Sequence, residues 1–171
     1  MIRYISLLIF LRFAWGQTCT ADDSTNGVEL WGECYSIENT TGLHLGNNGL
    51  IGSIPSEIGN LINLNYLGLY LNQFTGSIPP EIGNLTNLAW LDLGNNGFTD
   101  PIPPEIGNLT NLTHLNLRYN QFNGNIPESI CDLNINWSSS WSFIISNNQL
   151  CPPYPSCIED YVSKQDTTDC P

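Results

Sequence analysis

Positive charge is nearly absent from this chain: its 171 residues include four Lys or Arg against sixteen Asp or Glu, a formal charge of −12. Such a surface repels phosphate backbones and anionic lipid, which excludes nucleic acid as a partner. Histidine is scarce too, and neither His44 nor His114 stands at ligand spacing to a cysteine. With no C-x-x-C pair, neither a zinc site nor any other metal or cofactor is expected. The G-x-S-x-G, H-E-x-x-H and phosphate-loop patterns are all missing, and with them the signatures of common hydrolytic and nucleotide chemistry. The chain is therefore not expected to be an enzyme. Long apolar runs are also lacking, since the stretch from Tyr4 to Leu11 is broken by Arg12 and falls far short of the ~18–20 residues of a membrane span.

That short run has a different meaning. Arg3 precedes it and Ala14-Trp15-Gly16 follows, the charged, apolar and small-residue order of a secretory signal peptide over 1–16. Its removal takes away Arg3 and Arg12, shifts the charge from −12 to −14, and leaves Arg118 and Lys164 as the only cations. The mature chain is expected to be secreted, monomeric and without a membrane span. All six cysteines (Cys19, Cys34, Cys131, Cys151, Cys157 and Cys170) lie beyond the cleavage point, and an even number in an exported chain favours disulfides.

The middle of the chain repeats itself every 24 residues. LNYLGLYLNQFTGSIPPEIGNLTN (64–87) is followed by LAWLDLGNNGFTDPIPPEIGNLTN (88–111), with related frames at 40–63 and 112–135 and a broken fifth resuming at Ser140 after four extra residues, 136–139. These match the L-x-x-L-x-L-x-x-N-x-L pattern. Leu64, Leu67, Leu69, Phe74, Ile78, Ile82 and Leu85 form the inward set of one frame, and Leu88, Leu91, Leu93, Phe98, Ile102, Ile106 and Leu109 that of the next. One frame cannot cover such a face alone, so neighbours must stack. Asn48, Asn72, Asn96, Asn120 and Asn148 share a column where an amide can satisfy turn backbone. Pro55, Pro79, Pro103 and Pro127 share another, where a fixed φ shapes the outer side. At Asp100-Pro101 the frame departs from the Gly76-Ser77 and Gly124-Asn125 of its neighbours, so a local difference is expected there.

The recurring L-x-G-x-I-P-x-E-I-G-N-L-x-N-L string resembles the plant-type leucine-rich repeat of receptor-kinase ectodomains and polygalacturonase-inhibiting proteins. The resemblance implies an α/β solenoid, a right-handed coil of about five repeats with a parallel concave sheet and disulfide-containing caps. It divides the chain into an N-terminal cap at 17–39, repeats at 40–151 and a C-terminal cap at 152–171. Trp31 between two cysteines resembles the amino-terminal cap of such proteins and implies a Cys19 to Cys34 bridge, whereas pairing of the other four cysteines stays open. Ser156 and Glu159 read as a capping box for a short helix over Cys157–Ser163.

In this fold the variable positions of x-x-L-x-L-x-x project from the concave sheet. Tyr66, Trp90 and His114 fall in one column, separated by one strand spacing of about 4.8 Å, flanked by Tyr70 and Tyr119. Exposed rings among polar neighbours are the material of interface hot spots and sugar platforms. The same rings would also steady the sheet by about 0.2–1 kcal/mol per pair. Asp92 and Arg118 lie on that face, either as an exposed ion pair or as a polar anchor. The expected function is recognition of an extracellular protein, peptide or glycan. The alternatives are inhibition of a wall-degrading enzyme and a surface-active role such as ice binding. Asn39, Asn84, Asn108, Asn111 and Asn136 head glycosylation sequons.

Because 40–111 contains no cysteine, reduction should unfold the ends before the middle. Hydrogen exchange with and without reductant should show loss of protection confined to the caps, and uniform loss would contradict this reading.

Overall fold

The computed structural model describes residues 18–171, so the signal peptide expected over 1–16 lies outside the described residues. The chain begins with an antiparallel sheet of β1 (Thr18–Thr20), β2 (Asn26–Leu30) and β3 (Glu33–Ser36). Cys19 and Cys34 join its outer strands, as expected. They do so over Gly27, where a Cβ would stand 2.6 Å from the Cys34 sulfur. Val28 and Leu30 are buried beneath and close one end of the core. Trp31 packs its ring 5.4 Å from that of Phe74 and donates its indole N–H to Ser53 O.

From here two kinds of strand alternate along the chain. They are β4 (Gly42–His44), β5 (Ile51–Gly52), β6 (Tyr66–Gly68), β7 (Gln73–Gly76), β8 (Trp90–Asp92), β9 (Gly97–Phe98), β10 (His114–Asn116), β11 (Asn123–Asn125), β12 (Phe143–Ile144) and β13 (Gln149–Cys151). The even-numbered ones form a five-stranded parallel sheet in the order β12-β10-β8-β6-β4, so the broken fifth frame joins the others. Register follows the repeat, with Tyr66 opposite Trp90 and Trp90 opposite His114. The return segments are 3-10 helices at Ser56–Asn60, Pro80–Asn84, Pro104–Asn108 and Glu128–Asp132, each entered through one of the four prolines, with φ between −71° and −67°. They are 3-10 and not α because each has only five residues between a proline and the leucine that turns the chain inward again. Neighbouring helices pack so closely that a Cβ on Gly83 would meet the Glu105 carbonyl at 2.8 Å. The glycine of P-x-E-I-G is therefore fixed by this approach.

Between the layers the inward residues form one continuous core. Leu64, Leu67, Leu69, Phe74, Ile82 and Leu85 are fully buried, as are their equivalents one repeat on, and Ile78 and Ile102 are exposed by only 1% and 2%. Phe74, Phe98 and Phe122 stack along the axis with centroids 5.9 and 5.7 Å apart. The asparagine column behaves as a ladder in four of its five members. Asn120 Nδ2 donates to Leu93 O and Leu117 O, and its Oδ1 accepts the Phe98 N–H. Asn72, Asn96 and Asn148 make the same kind of bond. Asn48 differs because it has no preceding repeat to join, and its side chain is exposed. At the other end Gln165 donates to Ile145 O and extends the ladder into the last segment. A second ladder runs along the surface, where Asn63, Asn87 and Asn111 donate to Glu38 O, Ile62 O and Thr86 O.

Two local expectations meet different fates. At Asp100-Pro101 the frame does change: β9 has two residues where β7 has four, and no β9–β11 pairing occurs, leaving β5-β7-β9 and β11-β13 as separate sheets. Proline supplies no N–H to the ladder there. The helix expected over Cys157–Ser163 is replaced by consecutive turns over 156–161, held by Tyr161 N–H and Val162 N–H to Ile158 O. The side chains of Ser156 and Glu159 do not close a capping box. Bridges Cys131–Cys157 and Cys151–Cys170 fix that segment covalently, so its shape does not depend on helix formation.

The ladder makes a discriminating prediction. Asn120→Ala should cost at least about 2 kcal/mol in urea denaturation, since buried backbone partners are left unsatisfied at about 1–3 kcal/mol each, whereas Asn48→Ala should stay within about 0.5 kcal/mol.

Candidate binding face

The five-stranded sheet presents its outward residues on one surface, and the glycines scattered among them decide how the rings lie. Tyr66 leans over Gly68, where a Cβ would stand 2.8 Å from its ring, and Tyr70 covers Gly46 in the same manner at 2.4 Å. His44 pairs in register with Gly68 and folds back over Gly42, which brings it against Tyr66. The result is a stack of four rings. Centroid distances are 4.2 Å for His44–Tyr66, 5.9 Å for Tyr66–Trp90 and 3.6 Å for Trp90–His114. The column of Tyr66, Trp90 and His114 expected from the repeat is thus present and half-buried. His44 was missed because its frame position places it in the adjacent column. The glycines at 42 and 68 were the signal that could have found it.

Stacking has a chemical consequence. Tyr66 and Trp90 each have a ring on either side, so they present edges and not faces to solvent. A sugar platform needs free faces; a ridge of edges suits hydrogen bonding and apolar contact with a peptide or protein better. Trp90 Nε1 is buried and has no hydrogen-bond partner among the described residues.

Asp92 and Arg118 do not pair. Asp92 Oδ1 accepts from Gly94 N at 3.0 Å and from Asn116 Nδ2 at 2.9 Å, while Asn116 Oδ1 accepts from Arg118 N. The exposed Arg118 guanidinium instead lies 5.9 Å from the Tyr119 ring centre. The ion-pair reading therefore fails: the Asp92 carboxylate bonds to Gly94 and Asn116 and not to the Arg118 guanidinium.

Tyr70, Leu71 and Tyr119 are exposed, at 37%, 51% and 53%. Leu71 and Tyr119 hold φ of +55° and +53°, and the equivalent Asn47, Asn95 and Asn147 take the same left-handed turn. Asparagine tolerates that conformation, whereas other side chains are disfavoured in it by about 1–2 kcal/mol. Large exposed side chains are thus kept at two strained positions beside the ring stack, as at many functional surfaces.

The five sequon asparagines are all exposed, yet they are not equivalent. Asn111 serves the surface ladder, and Asn39 donates to Asp23. Bonds from Thr25 and Asn39 hold the Asp23 carboxyl down at about 2. Asn136 lies in the four-residue insertion, where Ser138 Oγ donates to its Oδ1. Among the described residues no three His, Cys, Asp or Glu are grouped to hold a metal, and no helix is long and apolar enough to cross a membrane.

A family model described as Leucine Rich Repeat matches residues 39–61, 63–85, 87–109 and 111–133. These spans make up more than half of the chain, which belongs to the leucine-rich-repeat family and to its plant type. A comparison with curated protein sequences found no match. Among solved structures, the chain is similar to a TDR receptor, at 38% identity over 71% of this chain and 20% of that one, with a TM-score of 0.63. The plant peptide hormone receptor RGFR1 in complex with RGF2 matches at 30% identity over 68% and 18%, TM-score 0.60. A plant ice-binding protein matches at 31% identity over 65% and 33%, TM-score 0.51. The chain thus spans a fifth or less of the length of these two receptors.

Burial lowers the His114 pKa below 6.5, an effect that Asp92 opposes. The folded state therefore binds the proton less readily than the unfolded one, so stability should fall as pH drops through about 6.5 and the imidazole is forced to charge. In Asp92→Asn the opposing charge is gone, and NMR titration should find the His114 pKa lower still. A rise would contradict this assignment.

Proposed function

We propose that this chain is a secreted recognition module that binds an extracellular protein or peptide on the concave face of its solenoid. The observation that carries the reading is the stack of His44, Tyr66, Trp90 and His114 on the outward side of the sheet. A face serving stability alone has no need for exposed Tyr70, Leu71 and Tyr119 at its margin, two of them in strained turns. The peptide-hormone receptor among the similar structures supports a peptide or protein ligand. Tyr66, Tyr70, Trp90, Asp92, His114, Arg118 and Tyr119 form the proposed surface. A glycan is the weaker choice because the central ring faces are covered. Three disulfides and the signal-peptide pattern support an extracellular setting. Glycosylation is proposed at Asn84, Asn108 and Asn136, whose side-chain amide nitrogens donate no bond among the described residues, ahead of Asn39 and Asn111, which do.

A partner captured from extracellular fluid by the mature chain provides the assay. Trp90→Ala should weaken that partner by about 2 kcal/mol or more, as hot-spot aromatics do, while costing about 1 kcal/mol of stability or less through lost cross-strand contact. Leu91→Ala, which truncates a fully buried side chain, should cost about 2–5 kcal/mol of stability. Unchanged affinity in a folded Trp90→Ala protein would move the binding site off this ridge.

A further inference from the structure

The binding face holds two formal charges, and they are left unneutralised. Among the outward residues of the five strands and their turns, only Asp92 and Arg118 are charged, and Asp92 bonds to Asn116 while the Arg118 guanidinium lies by Tyr119. Their situations differ. Arg118 is exposed at the turn, with its guanidinium 5.9 Å from the Tyr119 ring centre. Asp92 is half-buried on the central strand, two residues from Trp90. Its Oδ1 already takes two donors, which fix the carboxylate in place, while Oδ2 accepts no hydrogen bond from the described residues. Its register partners are Gly68, over which the Tyr66 ring lies, and Asn116, so the carboxylate sits directly beside the ring stack.

We infer that Asp92 anchors a cationic side chain, Lys or Arg, of a basic peptide segment laid along the Tyr66–Trp90–His114 rings. This rests on the concave-face reading above and deepens it. Any chain that covers the ridge removes Asp92 from water, and a carboxylate buried without a counter-charge is strongly unfavourable. The carboxylate has lone pairs to spare, and a guanidinium or ammonium supplies donors together with the missing charge. The whole molecule favours the same partner: at −12 it attracts a basic segment over long range and repels an acidic one. The influence of Asp92 on both Tyr66 and His114 places its charge beside the rings that such a side chain would touch.

The probe is a set of three blocked heptapeptides, identical except for a central Arg, citrulline or Glu, titrated into the isotope-labelled, disulfide-bonded protein by NMR. The Arg peptide should bind about tenfold tighter than the citrulline peptide, shift the Trp90 indole and the Gly94 and Asn116 amides, and leave the Glu peptide without effect. Asp92→Asn retains an acceptor for both anchoring bonds while removing the charge. It should erase the Arg advantage, so that Arg and citrulline peptides bind alike, while a cooperative melting transition shows that the variant remains folded. Equal affinities for Arg and citrulline, an Arg advantage that survives in Asp92→Asn, or no Arg-peptide binding at millimolar concentration would each overturn the anchor. Failure of the anchor alone leaves Trp90→Ala still able to abolish binding of the captured partner. Peptide shifts confined to the caps, with Trp90→Ala silent against that partner, would overturn the concave-face reading as well.

Discussion

No repeat of this chain can satisfy itself. Each leaves an apolar face and a set of turn N–H and C=O groups that only the next repeat can cover, and one asparagine per repeat does the polar half of that work. Asn120 bonds within its own repeat and back to the previous one at once, to Leu117 and to Leu93 and Phe98. Burial of the leucines and the phenylalanine stack follows the same register. The sequence period, the strand register and the core are thus one constraint seen at three scales.

That constraint also explains the ends. Where no preceding repeat exists, Asn48 loses its role, and β2 and Trp31 cover the exposed core with a disulfide behind them. Where the last repeat ends, Gln165 takes up the amide position and two further disulfides hold the irregular segment in place. Covalent links are used where stacking cannot reach, and nowhere in between.

The proposed binding face is built from what the constraint leaves free. Outward positions of the sheet need satisfy no neighbour, and here they carry rings, one carboxylate and one guanidinium. Glycines at 42, 46 and 68 are as important as the aromatic residues, because each opens the space into which a ring lies. The same stacking that orders the rings covers the faces of Tyr66 and Trp90, which is why a peptide is proposed ahead of a sugar.

Much of this was legible beforehand because it is periodic. The inward set from Leu64 to Leu85, the five-strand count and the Tyr66–Trp90–His114 column follow from spacing alone, since a 24-residue frame in fixed register puts equivalent residues side by side. Non-periodic features were not legible. The cap after Cys151 lacks the period, so its expected helix proved to be a run of turns and its two bridges were left open. Side-chain direction was not legible either: His44 joins the stack, and Asp92 turns to Asn116 and not to Arg118, because of vacancies and hydrogen bonds between strands. The sequence by itself determined the repeat, the core and which side chains face outward, because backbone period settles these. Only the tertiary structure decided how those side chains meet one another, because that depends on the space each neighbouring strand leaves.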